Sequence, residues 1–345
     1  MKKLLLFFVL ILAASFTYSQ VEVSSRLQQA ISVAKPDEYI RALILLRDQV
    51  DVVSIDKRFY RESVSHQKRI FELVTALQEK AQITQEDLIS YLENKYYTRD
   101  VFNYKSFWIA NLVWLEAKPV VLNEIMNRAD ISIMDLDELL DYDRPVDKSP
   151  APMQSITGSE PGHHIINAHK LWELGITGQG RLVMNIDGGV DVTHPALGPK
   201  WRGNNGALWY HTWFDPIAPT STQPFDCSDH GTHTMGTMVG MVLGDTVGVA
   251  PNAQWIAAGI TDCAGANYPS MNIAAFQWAI NPDSNLNTVN DVPDVINCSW
   301  RDPNVPNECT SIYVSTFNAV EAAGIAIVFS AGNSGPGIST VTPPK

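Results

Sequence analysis

The chain has 345 residues, 45% of them hydrophobic, with 37 Asp and Glu against 25 Lys and Arg and a formal net charge of -12. This composition excludes a low-complexity or disordered polypeptide, and the length suggests two domains, one able to bury a sizeable core. The acidic balance and the absence of any basic run argue against nucleic acid or an anionic membrane surface as a partner.

In chain order, Met1, Lys2 and Lys3 precede an apolar run from Leu4 to Phe16 that ends in small and polar residues up to Gln20. Residues 1–20 therefore read as a secretory signal peptide. The run is shorter than the roughly 20 residues a membrane anchor needs, so a secreted protein, extracellular or periplasmic, with no membrane attachment after signal removal is expected. Residues 21–141 read as one small α+β domain. Tyr39–Leu46 is a strand, and Lys57–Lys80 is a helix with Tyr60, Val64, Ile70, Leu73 and Leu77 at helical spacing. Thr84 followed by Asp87 resembles a capping box that opens a second helix through Tyr91. Phe107–Glu116 is a strand, Pro119 starts a helix and Ile131–Met134 is a last short strand. Residues 142–162 hold four prolines and no sustained apolar periodicity, the pattern of an exposed, protease-sensitive linker.

From residue 163 to 345 short apolar strands alternate with helices. A helix at Asn167–Leu174 closes at Gly175, a strand at Arg181–Ile186 ends on Asp187, and Ala253–Ile260 contains another strand. Helix Ile273–Ile280, strand Val295–Cys298, helix Tyr313–Ala323 and strand Ile325–Phe329 follow, so a parallel sheet flanked by helices is expected. The cysteines are Cys227, Cys263, Cys298 and Cys309, consistent with one or two disulfides in an oxidising compartment. Cys298 with Cys309 is the first expectation, because both lie at or just beyond the end of one strand. No two cysteines sit at CxxC spacing, which makes zinc the weaker reading.

Three features carry chemistry. Asp187 follows an apolar strand and precedes Gly188 and Gly189, at the carboxyl end where catalytic groups collect in open α/β sheets, although Asp-Gly is also a common turn. His230-Gly231-Thr232-His233 leads into a small-residue helix placed at Met238–Leu243. Its histidines suit either a metal pair, for which no intervening Glu or third ligand is evident, or a general base at His230 with His233 turned inward. Ser330 to Gly337 contains Asn333 in a glycine-rich turn after the last strand, where the amide either serves left-handed backbone geometry or donates to an oxyanion.

In this order and spacing the three features resemble the subtilase family of serine peptidases, whose triad runs Asp, His, Ser along the chain. The resemblance covers about residues 163–345 and more loosely 21–141, which is similar to a subtilase propeptide of the inhibitor type. It implies a subtilisin-like parallel sheet, flanked by helices, behind a small α+β ferredoxin-like propeptide domain. Asp187 would orient the base, His230 would act as general base and acid, and Asn333 would donate to the oxyanion. The substrate would be a polypeptide lying along Ser299, Trp300 and Arg301 on one side and Ser330, Ala331 and Gly332 on the other. The chain's own propeptide is expected to bind the peptidase domain.

Four departures accompany the resemblance. Gly188 stands where the family usually has a hydroxyl residue. Ala196 and Leu197 follow His194-Pro195 where many members carry an acidic calcium ligand; calcium as a structural ion is still allowed, and no other cofactor or metal site is expected. Trp300 and Arg301 replace a small or apolar residue and glycine. No Gly-Thr-Ser-Met-Ala-x-Pro motif occurs, so the reading is of a C-terminally truncated peptidase domain that lacks its serine segment and is inactive as it stands. The alternatives are a non-catalytic inhibitor or peptide-binding remnant, and a metal hydrolase built on His230 and His233.

Overall fold

The structure is a computed structural model that describes residues 20–140, 158–217, 221–261, 263–305, 311–341 and 343–344. Residues 1–19 of the expected signal peptide, residues 142–157 of the expected linker and Cys309 lie outside the described residues.

The first unit is built on a sheet of β1 (Glu22–Val23), β2 (Ile40–Leu46), β3 (Val101–Phe107), β4 (Leu112–Ala117) and β5 (Ile131–Leu136), in the order β1-β5-β2-β4-β3. Strands β2 to β5 pair antiparallel and β1 lies parallel to β5. Helices α1 (Ser25–Val33), α2 (Val52–Arg61), α3 (His66–Tyr97) and α4 (Pro119–Ile125) complete it. With α2 and α3 joining β2 to β3, and α4 joining β4 to β5, this is the expected ferredoxin-like arrangement with one added edge strand.

Several local expectations change. The helix placed at 57–80 is two helices, because α2 stops at Arg61 and Ser63 turns the chain at φ 49° before α3 begins. No new helix starts at Thr84, since α3 runs on to Tyr97 and the Thr84 hydroxyl donates back to the Lys80 carbonyl at 2.8 Å. A capping residue inside a helix can bond the preceding turn instead of starting a new one. The strand placed at 107–116 is a hairpin turned at Asn111, which has φ 44° and whose amide nitrogen donates to the Asp48 carbonyl and the Thr84 hydroxyl, both at 2.8 Å.

The near-continuous apolar run of β2 has a structural cause. Ala42, Ile44 and Leu46 face Leu27, Leu88, Val121 and Leu122 of the unit's own helices. Leu43 and Leu45, one residue out of phase, join Leu112 and Trp114 in a different apolar cluster that takes in Ile273, Phe276 and Val320 of the second unit. Alternate strand residues point to opposite faces, so a sheet covered on both sides needs apolar residues at every position.

The second unit has a parallel sheet of β6 (Leu182–Asp187), β7 (Trp213–Phe214), β10 (Gln254–Gly259), β11 (Val295–Cys298) and β12 (Ala326–Phe329), in the order β12-β11-β6-β10-β7. A two-stranded ribbon of β8 (Met241–Val242) and β9 (Asp245–Thr246) lies apart from it. The helices are α5 (Pro161–Ile165), α6 (Ala168–Glu173), α7 (His230–Val239), α8 (Pro269–Ile280) and α9 (Tyr313–Ala322). The helix expected at Met238–Leu243 thus starts eight residues earlier, at His230, and ends before Gly240, where the chain turns into β8. The linker's described end is attached: Ser159 bridges Thr246, and Pro161 opens α5.

The disulfide joins Cys227 to Cys263, and Cys298 is a free, buried thiol, so the expected Cys298–Cys309 bridge is replaced. The reason is topological. Cys227 and Cys263 sit on loops that follow β7 and β10, which are neighbours in the sheet, whereas Cys298 ends β11 and faces the core.

One buried carboxylate ties the two units together. Asp137, just after β5, is 1% exposed and accepts from the Ser270 amide at 2.9 Å and the Ser270 hydroxyl at 2.8 Å in the first turn of α8. It also accepts from Trp114 Nε1 and Arg41 Nη2, both at 2.7 Å, while the Arg41 guanidinium lies 3.9 Å from the centre of the Tyr268 ring. Negative charge at a helix start satisfies amides that have no partner within the helix. Three residues on, the Leu140 amide donates to the Asn267 carbonyl at 2.8 Å. Asp137→Ala is expected to strand Arg41 and the α8 amide and to cost about 3 kcal/mol of stability. Asp137→Asn should cost clearly less; equal thermal unfolding midpoints for wild type and Asp137→Ala would show that the contact contributes nothing.

Candidate active site

Central strand β6 is buried along its whole length, and its last residue, Asp187, is 2% exposed. The Asp187 carbonyl accepts from the Ile260 amide at 2.8 Å, and its Oδ1 accepts from the Gly188 amide at 2.7 Å, so backbone and carboxylate are both held. Across from it α7 begins at His230, after Asp229 in the left-handed conformation at φ 64°. His230 Nδ1 lies 2.9 Å from Asp187 Oδ1 and 3.1 Å from Oδ2. A carboxylate at Nδ1 favours the tautomer with hydrogen there, which puts the proton-accepting lone pair on Nε2.

Such an approach requires the start of α7 to press against the end of β6, which two glycines allow. A Cβ at Gly231 would lie 2.0 Å from the Gly189 carbonyl oxygen and 3.1 Å from Asp187 Cβ. Gly189 has φ +114°, and a Cβ there would meet the Phe225 carbonyl oxygen at 1.9 Å. Polar neighbours hold the junction. Asn185 Nδ2 donates to the Gly231 carbonyl at 3.0 Å and to Thr234 Oγ1 at 2.9 Å, and Asn185 Oδ1 accepts from Asn297 of β11 at 2.9 Å. Asp226 Oδ2 accepts from the amide and hydroxyl of Thr232, while its Oδ1 accepts from the amide and hydroxyl of Ser228. Sequence reading missed Asn185, Asp226, Thr232 and Thr234. Thr232 lay inside the His230–His233 motif without a role of its own, and the only signal of the other three was being polar inside or beside apolar segments.

The subtilase family profile matches residues 178–345, which hold both members of this pair. Residues 178–345 belong to the subtilase family. Bacillopeptidase F of Bacillus subtilis is 30% identical over 296 residues, covering 81% of this chain and 20% of that protein. The minor extracellular protease Vpr of the same species is 33% identical over 181 residues, 52% of this chain and 21% of the relative. Subtilisin E, also from B. subtilis, is 33% identical over 180 residues, 51% of this chain and 40% of the relative. The chain thus spans between a fifth and two fifths of these relatives' lengths. The first match is too long to fit within 178–345, so it also takes in part of the upstream unit.

In the subtilase domain the other expected site residues emerge from the same carboxyl edge as Asp187. Ser299 follows β11, which pairs with β6, and Ser330, Ala331, Gly332 and Asn333 follow β12, which pairs with β11. The Ser330 amide donates to the Cys298 carbonyl at 3.1 Å, and Gly332 turns the chain at φ +86° before the exposed Asn333. Arg301 is half-buried. The Trp300 ring is 3% exposed and packs against Phe276, Tyr313 and Phe329, so this large side chain lies in the core under the end of β11. Burial, followed by the Asp187 charge, pushes the neighbouring Cys298 thiol well up, away from a reactive thiolate.

Four further expectations meet the structure here. At Gly188 a Cβ would lie 2.9 Å from Ser228 Oγ, and that hydroxyl accepts from the His230 amide at 3.3 Å, so a hydroxyl does stand at this position but comes from another residue. His233 is exposed rather than turned inward. Among the described residues no three His, Cys, Asp or Glu side chains converge as metal ligands, and His230 Nδ1 is engaged by Asp187. Ala196 and Leu197 are buried apolar residues and offer no side-chain ligand.

Two outcomes test this geometry. Gly231→Ala should displace the first turn of α7 and cost about 3 kcal/mol, read as a fall in thermal midpoint. Lys200 closes the other end of α7 by donating to the Val239 carbonyl, and burial pushes its ammonium down from 10.5 to about 8. Between those values the unfolded chain holds more protons than the folded one, so stability should rise with pH across that window. Lys200→Met should flatten this rise in the plot of midpoint against pH; an unchanged slope would assign the dependence to other groups.

Proposed function

We propose that the protein carrying this chain is a secreted serine endopeptidase, made as a precursor, in which Asp187 and His230 are two members of an Asp-His-Ser triad. The observation that carries this reading is the 2.9 Å contact between His230 Nδ1 and the buried Asp187 carboxylate, inside a subtilase-family segment. The nucleophilic serine is assigned to sequence outside residues 1–345, which contain no Gly-Thr-Ser-Met-Ala-x-Pro motif.

In the proposed reaction His230 Nε2 takes the serine hydroxyl proton as the oxygen attacks the peptide carbonyl, and Asp187 stabilises the imidazolium that forms. Asn333 donates to the oxyanion, and His230 returns the proton to the leaving amine. An extended polypeptide would lie between the Ser299–Arg301 and Ser330–Gly332 segments and be held by main-chain hydrogen bonds. Residues 21–141 would be the propeptide, bound to the peptidase domain. The core shared through Leu43, Leu45, Phe276 and Val320 and the Asp137 contact to α8 support this. Export is supported by the Lys-Lys start and the apolar run to Phe16, and by a relative named as an extracellular protease.

The test is hydrolysis of a peptide library by the complete gene product, with labelling by a serine-directed fluorophosphonate. His230→Ala is expected to lower kcat by about 10⁶ and Asp187→Asn by about 10⁴. Asn333→Leu should lower it by about 10² to 10³, the loss known for such a donor in subtilisin. Hydrolysis that survives His230→Ala, or a gene product with no labelled serine, would abandon catalysis in favour of peptide binding or inhibition.

A further inference from the structure

The segment between α8 and β11 has no part in the chemistry proposed above. It places Asp283, Asn285, Asn287 and Asp291 at alternate positions, with the Val289 carbonyl in the phase between them. Oxygen donors at every second position are how calcium loops wrap a hard cation, but the same residues also favour turns, and several of them do hold the turn here. Asp283 Oδ1 accepts from the Asn285 amide at 2.8 Å, and Asn285 Oδ1 accepts from the Asn287 amide at 3.1 Å.

What turn formation leaves unexplained is Asp291. It is 4% exposed; its Oδ2 accepts from the Asp283 amide at 2.9 Å, and its Oδ1 is buried with no hydrogen-bond partner. Asp291 and Asp283 both line a cavity of about 480 Å³ that also holds Thr288, Asn290 and Gln254. Arg202 and His211 share this cavity, yet neither comes within ion-pair distance of either carboxylate. A buried carboxylate oxygen without a donor is costly, and a second carboxylate beside it adds repulsion. Either a proton or a cation can relieve the pair.

We propose that the Asp283–Asp291 loop is a calcium site, with the two carboxylates as anchoring ligands and amide, carbonyl and water oxygens completing the shell. Calcium takes six to eight oxygens in flexible geometry and accepts neutral donors, whereas magnesium demands a tighter octahedron and zinc prefers nitrogen and sulfur. Bound calcium would also fix the loop for the upstream unit: Gln67 of α3 donates to the Asn287 carbonyl at 2.7 Å, and Leu286 and Val289 pack on the core that both units share. The site is independent of the peptidase reading.

The test uses the full chain, stripped with chelator and titrated with calcium while heat of binding and thermal midpoint are followed. Wild type is expected to bind one calcium in this loop with a dissociation constant on the order of 10⁻⁴ to 10⁻³ M, the range of extracellular modules, and to gain midpoint. Asp291→Asn keeps the shape and removes the charge. It should match or exceed wild type in chelator and yet lose at least tenfold in affinity and most of the calcium-dependent gain. Asp283→Asn should behave alike, and Asp245→Asn, on strand β9 outside this loop, should not. Calcium that leaves the wild-type midpoint unmoved would overturn the proposal and leave a shared proton as what relieves the pair. Calcium that stabilises Asp291→Asn as much as wild type would overturn it by placing the ion elsewhere.

Discussion

The distance between the first turn of α7 and the end of β6 governs the carboxyl edge of the second sheet. His230 can reach the Asp187 carboxylate only because Gly231 lets the helix backbone approach the Gly189 carbonyl to a distance that no Cβ would tolerate. The hydrogen bonds that anchor the approach come from other parts of the fold: Asn185 within β6, Asn297 on the adjoining strand, and Asp226 on the loop that the Cys227–Cys263 disulfide ties to the end of β10. The Asp187–His230 pair is thus held by groups on several separate segments, the arrangement a preorganised site requires.

The parallel sheet supplies the direction. Because β6, β11 and β12 run the same way, Asp187, Ser299 and Ser330 leave the sheet along one edge on adjacent strands. Neighbouring strands lie about 4.8 Å apart, so side chains far apart in sequence converge without any special loop. The upstream unit adds its own sheet face, and the apolar residues of β2 that look redundant in one domain are divided between two cores.

Much of this was legible from residue order. Period and flanking glycines located β2, β5, β6, β10, β11 and β12 to within about two residues, Pro119 marked the start of α4, and Asp187 and His230 stood out once strand end and helix start were read together. What stayed hidden had specific causes. The break at Ser63 and the hairpin at Asn111 depend on single positive-φ residues that are not glycine, for which local sequence carries little signal. Strands of two residues, such as β1 and β7, exist only because a neighbour pairs with them. Trp300 was read as part of a segment lying along the substrate, and whether its ring turns outward or into Phe276 and Tyr313 is a packing outcome.

By itself the sequence determined the α/β alternation, the family resemblance, and the residue types at the two key positions, since hydrophobic period and short motifs are local properties of a chain. Tertiary structure alone decided that Cys227 pairs with Cys263, that a hydroxyl at Ser228 stands beside Gly188, that Asp137 caps α8 of the other unit, and that Asp291 is buried with an oxygen unpaired. These are contacts between segments far apart in sequence, set by strand order and by which face each element buries. A one-dimensional pattern does not encode distances across a sheet.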